Sequence, residues 1–305
     1  MVRQLAFPGM SAKRVGKFNV YHDESQPTKR WLFLGLLFVA SDKEENVLQI
    51  LEQARSDEGN YRGEIHFSKL PSKFEGEHNQ DARIARKWMK TYEASLCELC
   101  WFSTLVVDFQ SPAFQRGRFA EQFHAYNRFT AMALKAAIAW HLDGNYDDVE
   151  ITMYSDDKSR QTRPDKGFVD NFVSYIPEKV ELDTFVAKHL QGKPYPNVKF
   201  TGDVILVKSN EDTNTAQFIQ LTDLLLGAVQ QAVVAGSQAE TKVELGAMAH
   251  RWIEDTRKEP WHQELGMHRK FSLWGFPDAE GRPFSNIPLA IRDMLDQRSG
   301  QSKLF

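Results

Sequence analysis

Carboxylates stand at three places in this 305-residue sequence where a carboxylate is costly. Asp23 ends the alternating apolar run of Phe18, Val20 and His22, and Glu24 and Ser25 follow it. Asp156 and Asp157 close the run from Val149 to Ser155. Asp223 lies within IQLTDLLLG, among leucines. An acid on a helix that is apolar nearly all round must be paired or bind a cation, because an isolated charge is prohibitively expensive to bury. Acids at strand ends beside an acid on a covering helix suit a shared site for hard cations, which take oxygen ligands. Two such cations about 4 Å apart activate a water and stabilise the leaving oxygen of a phosphodiester. Each acid also has a plainer use. Asp commonly starts turns, and Asp223 could pair with a buried arginine or cap a neighbouring loop. The three together, in this order, are what point to chemistry.

These acids need a frame. Lys17 to Ser25 alternates in polarity and reads as a strand. Gln26 to Arg30 has turn chemistry, and Trp31 to Ala40 is apolar throughout, so the pair predicts a hairpin whose second strand is buried on both faces. A helix is expected over Asp42 to Arg55 with Asp42 as its cap, then a short segment from Arg62 to Leu70, and a helix over Asn79 to Leu99. Cys100 to Phe109 reads as a strand, and Phe119 to Leu142 as a long helix with Phe119 in its buried stripe. A strand over Val149 to Ser155, a helix over Phe168 to Ile176 and a strand over Val198 to Val207 follow. The helix Thr215 to Ala235 is the most apolar, and Gln220, Asp223, Gly227 and Gln230 share one stripe of it. Beyond Gly236 the expectation is a helix plus irregular structure around Trp252, Trp261 and Trp274. The organisation is one α/β domain with long connections, its core about 17–235 and a C-terminal extension about 236–305.

Strand alternation sets Asp156 and Asp157 on opposite faces, so only one is expected as a ligand. Asp156 is favoured because its register is close to that of Asp23. Lys158, Arg160, Arg163 and Lys166 bring positive charge directly after the acids, suited to a phosphate backbone or simply to a solvated loop. Cys97 and Cys100 have no second pair to complete a zinc site and read as two small buried hydrophobes.

Composition narrows the classes. Hydrophobic residues at 42% and charged residues at 26% exclude a disordered or fibrous chain. The longest apolar run, Trp31 to Ala40, is about half of what a membrane span needs. Two cysteines and no signal-peptide pattern predict a reducing, cytoplasmic setting. A net charge of −3 does not suit a protein that coats nucleic acid by charge alone, but a metal-binding acid cluster subtracts from the total.

A strand ending in Asp-x-Ser, a hairpin, a Glu-bearing segment, a strand ending in Asp and a late helix carrying Asp together resemble the ribonuclease-H-like superfamily. More closely, HDES at 22–25, EIHFSK at 64–69 and VKSNEDTNTAQFIQLTDLLLGA at 207–228 resemble a bacterial family known as domain of unknown function 3800. The resemblance spans roughly Phe18 to Ala232. It implies an α/β fold with a mixed central sheet flanked by helices and carrying long insertions. It also implies metal-ligand roles for Asp23, Glu64, Asp156 or Asp157, and Asp223, with Mg²⁺ or Mn²⁺ as the cofactor. His66, Lys69, Gln220 and the basic residues Lys158, Arg160 and Arg163 are then expected against substrate. The function expected is hydrolysis of RNA or DNA, in a setting such as phage defence. The alternative is a non-catalytic module that keeps the fold and docks a protein partner or a second copy through the tryptophan-rich C-terminal region.

Overall fold

The computed structural model describes residues 13–157 and 169–302. Strand β1 (Val15–Ser25) pairs antiparallel with β2 (Trp31–Ala40), the expected hairpin. Leu32 to Val39 are all buried, as an apolar strand covered on both faces requires. β3 (Cys100–Asp108) runs antiparallel to β2, and β4 (Asp148–Asp156) runs parallel to β1. β5 (Asn197–Phe200) and β6 (Ile205–Val207) both pair parallel with β4, and β7 (Phe271–Phe276) pairs parallel with β3. The order is β5-β4-β1-β2-β3-β7, with β6 on β4. Only β2 runs against its neighbours, so β1, β3 and β4 all end at one edge. This is the α/β class and the mixed central sheet flanked by helices that the ribonuclease-H-like resemblance implies.

Helices cover both faces: α1 (Glu44–Ser56), α2 (Gln80–Ala94), α3 (Gln122–Leu142), α4 (Phe172–His189), α5 (Asn214–Val234), α6 (Glu240–Thr256) and α7 (Ile291–Ser302). Tyr21, Phe33 and Leu37 face α1, α2, α5 and α6 in one core. Phe18, Val20, Leu34, Leu36 and Phe38 face α3 and α4 in the other. Alternation along β1 therefore assigns its odd-numbered residues to the α5 face and its even-numbered ones to the α3 face.

Several boundaries differ from expectation. α1 starts at Glu44 with Lys43 at its cap position and no side-chain cap, so Asp42 does not serve. α2 stops at Ala94, where Ser95 leaves helical backbone, and a short 3-10 turn over Leu96–Glu98 follows; Cys97 and Cys100 are buried and unpaired. α4 continues through Pro177 to His189. The proline falls in the second turn and removes one backbone bond, while Ile176, Val180, Thr184 and Ala187 extend the buried stripe. The strand expected over 198–207 breaks into β5 and β6 at Thr201–Val204. The C-terminal region holds the expected helix and irregular segments, and it adds a strand. It contributes α6 under the sheet and β7 beside β3, and Trp252 is fully buried.

Candidate active site

Asp23 lies two residues before the end of β1, on the face covered by α5 and opposite Gly35 of β2. A Cβ on Gly35 would meet Leu226 of α5 at 3.2 Å, so the missing side chain lets the helix lie close over the strand end. β1 and β4 are registered up to His22 beside Ser155, which sets Asp156 beside Asp23 one residue further on. Tyr21 stacks on Tyr154 (5.2 Å, 14°) and on Phe218 of α5 (4.6 Å, 14°), fixing both strands to that helix two residues before the acids. Asp23 is 2% exposed. Asp157 alternates to the other side and is exposed. Its backbone N–H donates to the Val207 carbonyl at 2.7 Å.

The stripe of Gln220, Asp223, Gly227 and Gln230 on α5 proves to be a docking line for other segments. Gln220 Oε1 accepts from Arg55 (2.6 Å) and from the Ile65 N–H (3.1 Å), and its Nε2 donates to the Ser209 carbonyl (2.6 Å). Asp223 Oδ2 accepts from the Phe67 N–H at 2.6 Å. A Cβ on Gly227 would sit 2.1 Å from the Phe67 ring, so only glycine admits that ring. Gln230 accepts from the Ser25 hydroxyl at 2.6 Å. One side of one helix thus grips both the end of β1 and the segment carrying Glu64. Gln220 is corrected accordingly. It is 3% exposed and engaged on both ends of its amide, so it is a brace and not a substrate contact.

Glu64 reaches the strand ends through a third party. The Ser209 hydroxyl donates to Glu64 Oε1 at 3.3 Å, and the Ser209 N–H donates to Asp156 Oδ1 at 3.3 Å. Lys69 forms an ion pair with the other oxygen of Glu64. His66 Nδ1 lies 3.2 Å from Asp223 Oδ2. The hydrogen bond to Asp223 raises the imidazole pKa, against the opposing effect of burial, and the charges of Asp223 and Glu64 add to the rise. His66 and Lys69 therefore touch acids of the site itself. Lys158, Arg160, Arg163 and Lys166 lie outside the described residues.

Three contributors escaped sequence reasoning. Arg55, 2% exposed, donates to Gln217, to Gln220 and to the carbonyls of Tyr61 and Gly63, so it moors the strand of chain that leads into Glu64. Burial lowers its pKa, with the charge of Glu52 opposing. Ser209 bridges two acids. Lys242 of α6 donates to the Ser68 carbonyl at 2.8 Å, and Asp223 counteracts the downward pull of burial on its pKa. Arg55 carried one weak signal, an arginine at the buried end of an amphipathic helix.

The donors of the four acids are all hard oxygens, the kind that Mg²⁺ or Mn²⁺ takes. Among the described residues, however, no three His, Cys, Asp or Glu side chains gather closely enough to hold a metal ion as they stand. Glu64 is instead engaged by Lys69 and the Ser209 hydroxyl, and Asp223 by His66 and the Phe67 N–H. The set fits a divalent cation in the chemistry of its donors, not in their present spacing.

No family model matches the chain, and no curated protein does. Among solved structures it is similar to the ribonuclease H2 from Pyrococcus horikoshii OT3, with a TM-score of 0.36 and 11% identity over 83% of this chain and 97% of that one. A likeness that slight carries no weight for function. The closer family resemblance rests on the motif residues alone. No helix among the described residues is long and apolar enough to cross a membrane.

Proposed function

We propose that this protein hydrolyses phosphodiester bonds of nucleic acid, with Asp23, Glu64, Asp156 and Asp223 as its working groups and Mg²⁺ or Mn²⁺ as its cofactor. The observation that carries the reading is a convergence. Asp23 and Asp156 stand towards the carboxyl ends of adjacent parallel strands on one face, under the helix that bears Asp223 and holds the segment of Glu64. The carboxyl ends of strands in an α/β sheet are where such folds place their ligands. A divalent ion bound there supplies an activated water and charge relief for the leaving oxygen. The chain's own residues do the rest. Asp23 and Asp156 are fixed by the sheet, Ser209 spaces Glu64 from Asp156, and Arg55 with Gln220 keeps the Glu64 segment from drifting. Lys69, 63% exposed at its side chain, stands at the mouth of the site as a phosphate contact.

The test is cleavage of labelled RNA, DNA and hybrid substrates with Mg²⁺ and with Mn²⁺, for the wild type and for Asp23→Asn. A folded Asp23→Asn protein that cleaves at the wild-type rate sinks the assignment. The rival, a non-catalytic docking module, separates by a thermal shift. Mn²⁺ bound by the acids raises the melting temperature by mass action on the folded state, and a module without the site shows no shift. The burial of Trp252 leaves the rival less surface than the sequence suggested, since Trp261 is the tryptophan of that region that stands 75% exposed.

A further inference from the structure

A cavity opens at the same edge of the sheet, on the α3 face. It has a volume of about 540 Å³ and is lined by Phe109, Phe114, Phe119, Lys29, Arg116 and Glu121 among others. The three phenylalanine rings are half-buried and form a connected set. Phe109 and Phe114 meet edge-on at 5.0 Å, and Phe114 and Phe119 stack at 6.1 Å with 16° between planes. Behind them Phe129 of α3, 3% exposed, touches Phe114 (5.9 Å) and Phe119 (5.7 Å). Rings left partly open yet backed by a buried ring make a firm platform rather than a loose apolar patch. Lys29 and Arg116 stand exposed at its rim.

We propose that this cavity is a stacking pocket for an unpaired nucleobase, so that the strand acted on is single-stranded where it meets the protein. The proposal rests on the hydrolase reading for the chemistry, and the pocket names the substrate class. Three observations support it. Aromatic faces with cations beside them match a nucleotide, which offers a flat π surface and a phosphate together. A simple anion leaves the rings unexplained, and a purely apolar ligand leaves Lys29 and Arg116 unexplained. Glu121 adds an acceptor for the exocyclic amino groups of a base edge. Third is position. Phe109 directly follows β3, and Gln26, which also lines the cavity, comes three residues after Asp23. Three residues span at most about 11 Å, so pocket and acids are neighbours on one edge, reached from opposite faces of the sheet. Bases held inside a duplex present no free face to such a platform.

The test uses the full chain in EDTA, with fluorescence anisotropy of a labelled 12-nucleotide single strand and of the same strand in a duplex. The expected result is tighter binding of the single strand, with Phe114→Leu weakening it by about fivefold or more, the lower end of what removing one base stack costs. Leucine keeps an apolar contact with Phe129, so the fold is retained and thermal melting checks it. Lys29→Gln with Arg116→Gln changes surface residues only and flattens the salt slope by roughly 0.7 for each phosphate no longer neutralised. Equal affinity for single strand and duplex, or wild-type affinity and salt slope in these variants, overturns the pocket. Because binding is read without metal, it is independent of the hydrolase reading. Cleavage that persists in Asp23→Asn removes that reading alone, and cleavage by a protein indifferent to Phe114→Leu and to strandedness removes the pocket alone.

Discussion

The two faces of the sheet differ in how far their polar groups are tied together. On the α5 face the polar side chains are tied to one another: Gln220 makes three hydrogen bonds, Asp223 takes the Phe67 N–H, and Arg55 satisfies two glutamines and two carbonyls. On the α3 face hydrogen-bonded pairs such as His22 with Ser155 (3.0 Å) stand beside unpartnered atoms, and Thr130 Oγ1, His141 Nε2 and Trp274 Nε1 are buried with no hydrogen-bond partner among the described residues. The first face fixes positions by directed bonds, and the second fills space. A buried polar group is costly unless paired, so the α5 face places its groups where geometry matters, while the α3 face accepts a cost in stability.

The largest expected effect breaks the site without touching either core. Asp23→Asn lowers cleavage by about a hundredfold or more, as loss of a group that supports transition-state charge does, whereas Tyr126→Phe, which removes the 2.7 Å hydrogen bond to Glu24 on the α3 side, costs far less. Steady-state rates on one substrate decide it, and equal losses would erase the difference between the faces.

Arg55→Met tests the tied face for stability. Removing the donor leaves neutral acceptors buried without their partner, a loss of about 1–3 kcal/mol for each such group, read by urea denaturation, and the loss exceeds that of truncating an exposed arginine such as Arg118. On the opposite face, His141 stacks on Trp101 (5.9 Å, 17°), and its Nδ1 donates to the Arg269 carbonyl at 2.6 Å. Desolvation pushes its pKa down to about 4. On acidification the unfolded chain takes up this proton near pH 6.5 and the folded chain does not. The stability is therefore whole above pH 6.5 and falls as pH drops towards 4, by about 3 kcal/mol in all. His141→Leu flattens that part of the stability–pH curve; an unchanged slope would assign the acid sensitivity to other groups.

The smallest effect concerns fit. Gly227→Ala gains about 1 kcal/mol of helix propensity but drives a methyl into Phe67, and overpacking of that kind costs about 1–3 kcal/mol. The variant is expected to melt lower, and Phe67→Leu in the same chain should recover part of the loss. A more stable single variant would show that Phe67 has room to move.

What the sequence displayed, and what it hid, follows the same division. Asp23, Asp156 and Asp223 were legible because a charge interrupts an apolar run, and the hairpin was legible because turn residues separate two apolar stretches. Arg55 and Ser209 were not, because each acts on residues far along the chain (Gln217 lies 162 positions from Arg55, and Glu64 145 from Ser209), which local pattern cannot register. Gln220 read as a substrate contact because a polar residue on a buried helix looks the same whether it faces solvent or another segment. The aromatic cleft was hidden by a boundary. Phe119 fits the periodicity of α3, yet the helix begins at Gln122 and leaves that ring at the rim.

The bond from the Phe67 N–H to Asp223 spans 156 residues, while β1, β2 and β3 follow one another with no other strand between them. During synthesis the three leading strands, Asp23 and Glu64 all leave the ribosome well before α5 exists. Contacts that close long loops come late in folding, so the acids gain their common roof only once α5 has followed the leading strands out. Until then the nascent chain carries Asp23 and Glu64 without the helix that joins them, and its half-covered sheet is the stage most exposed to aggregation.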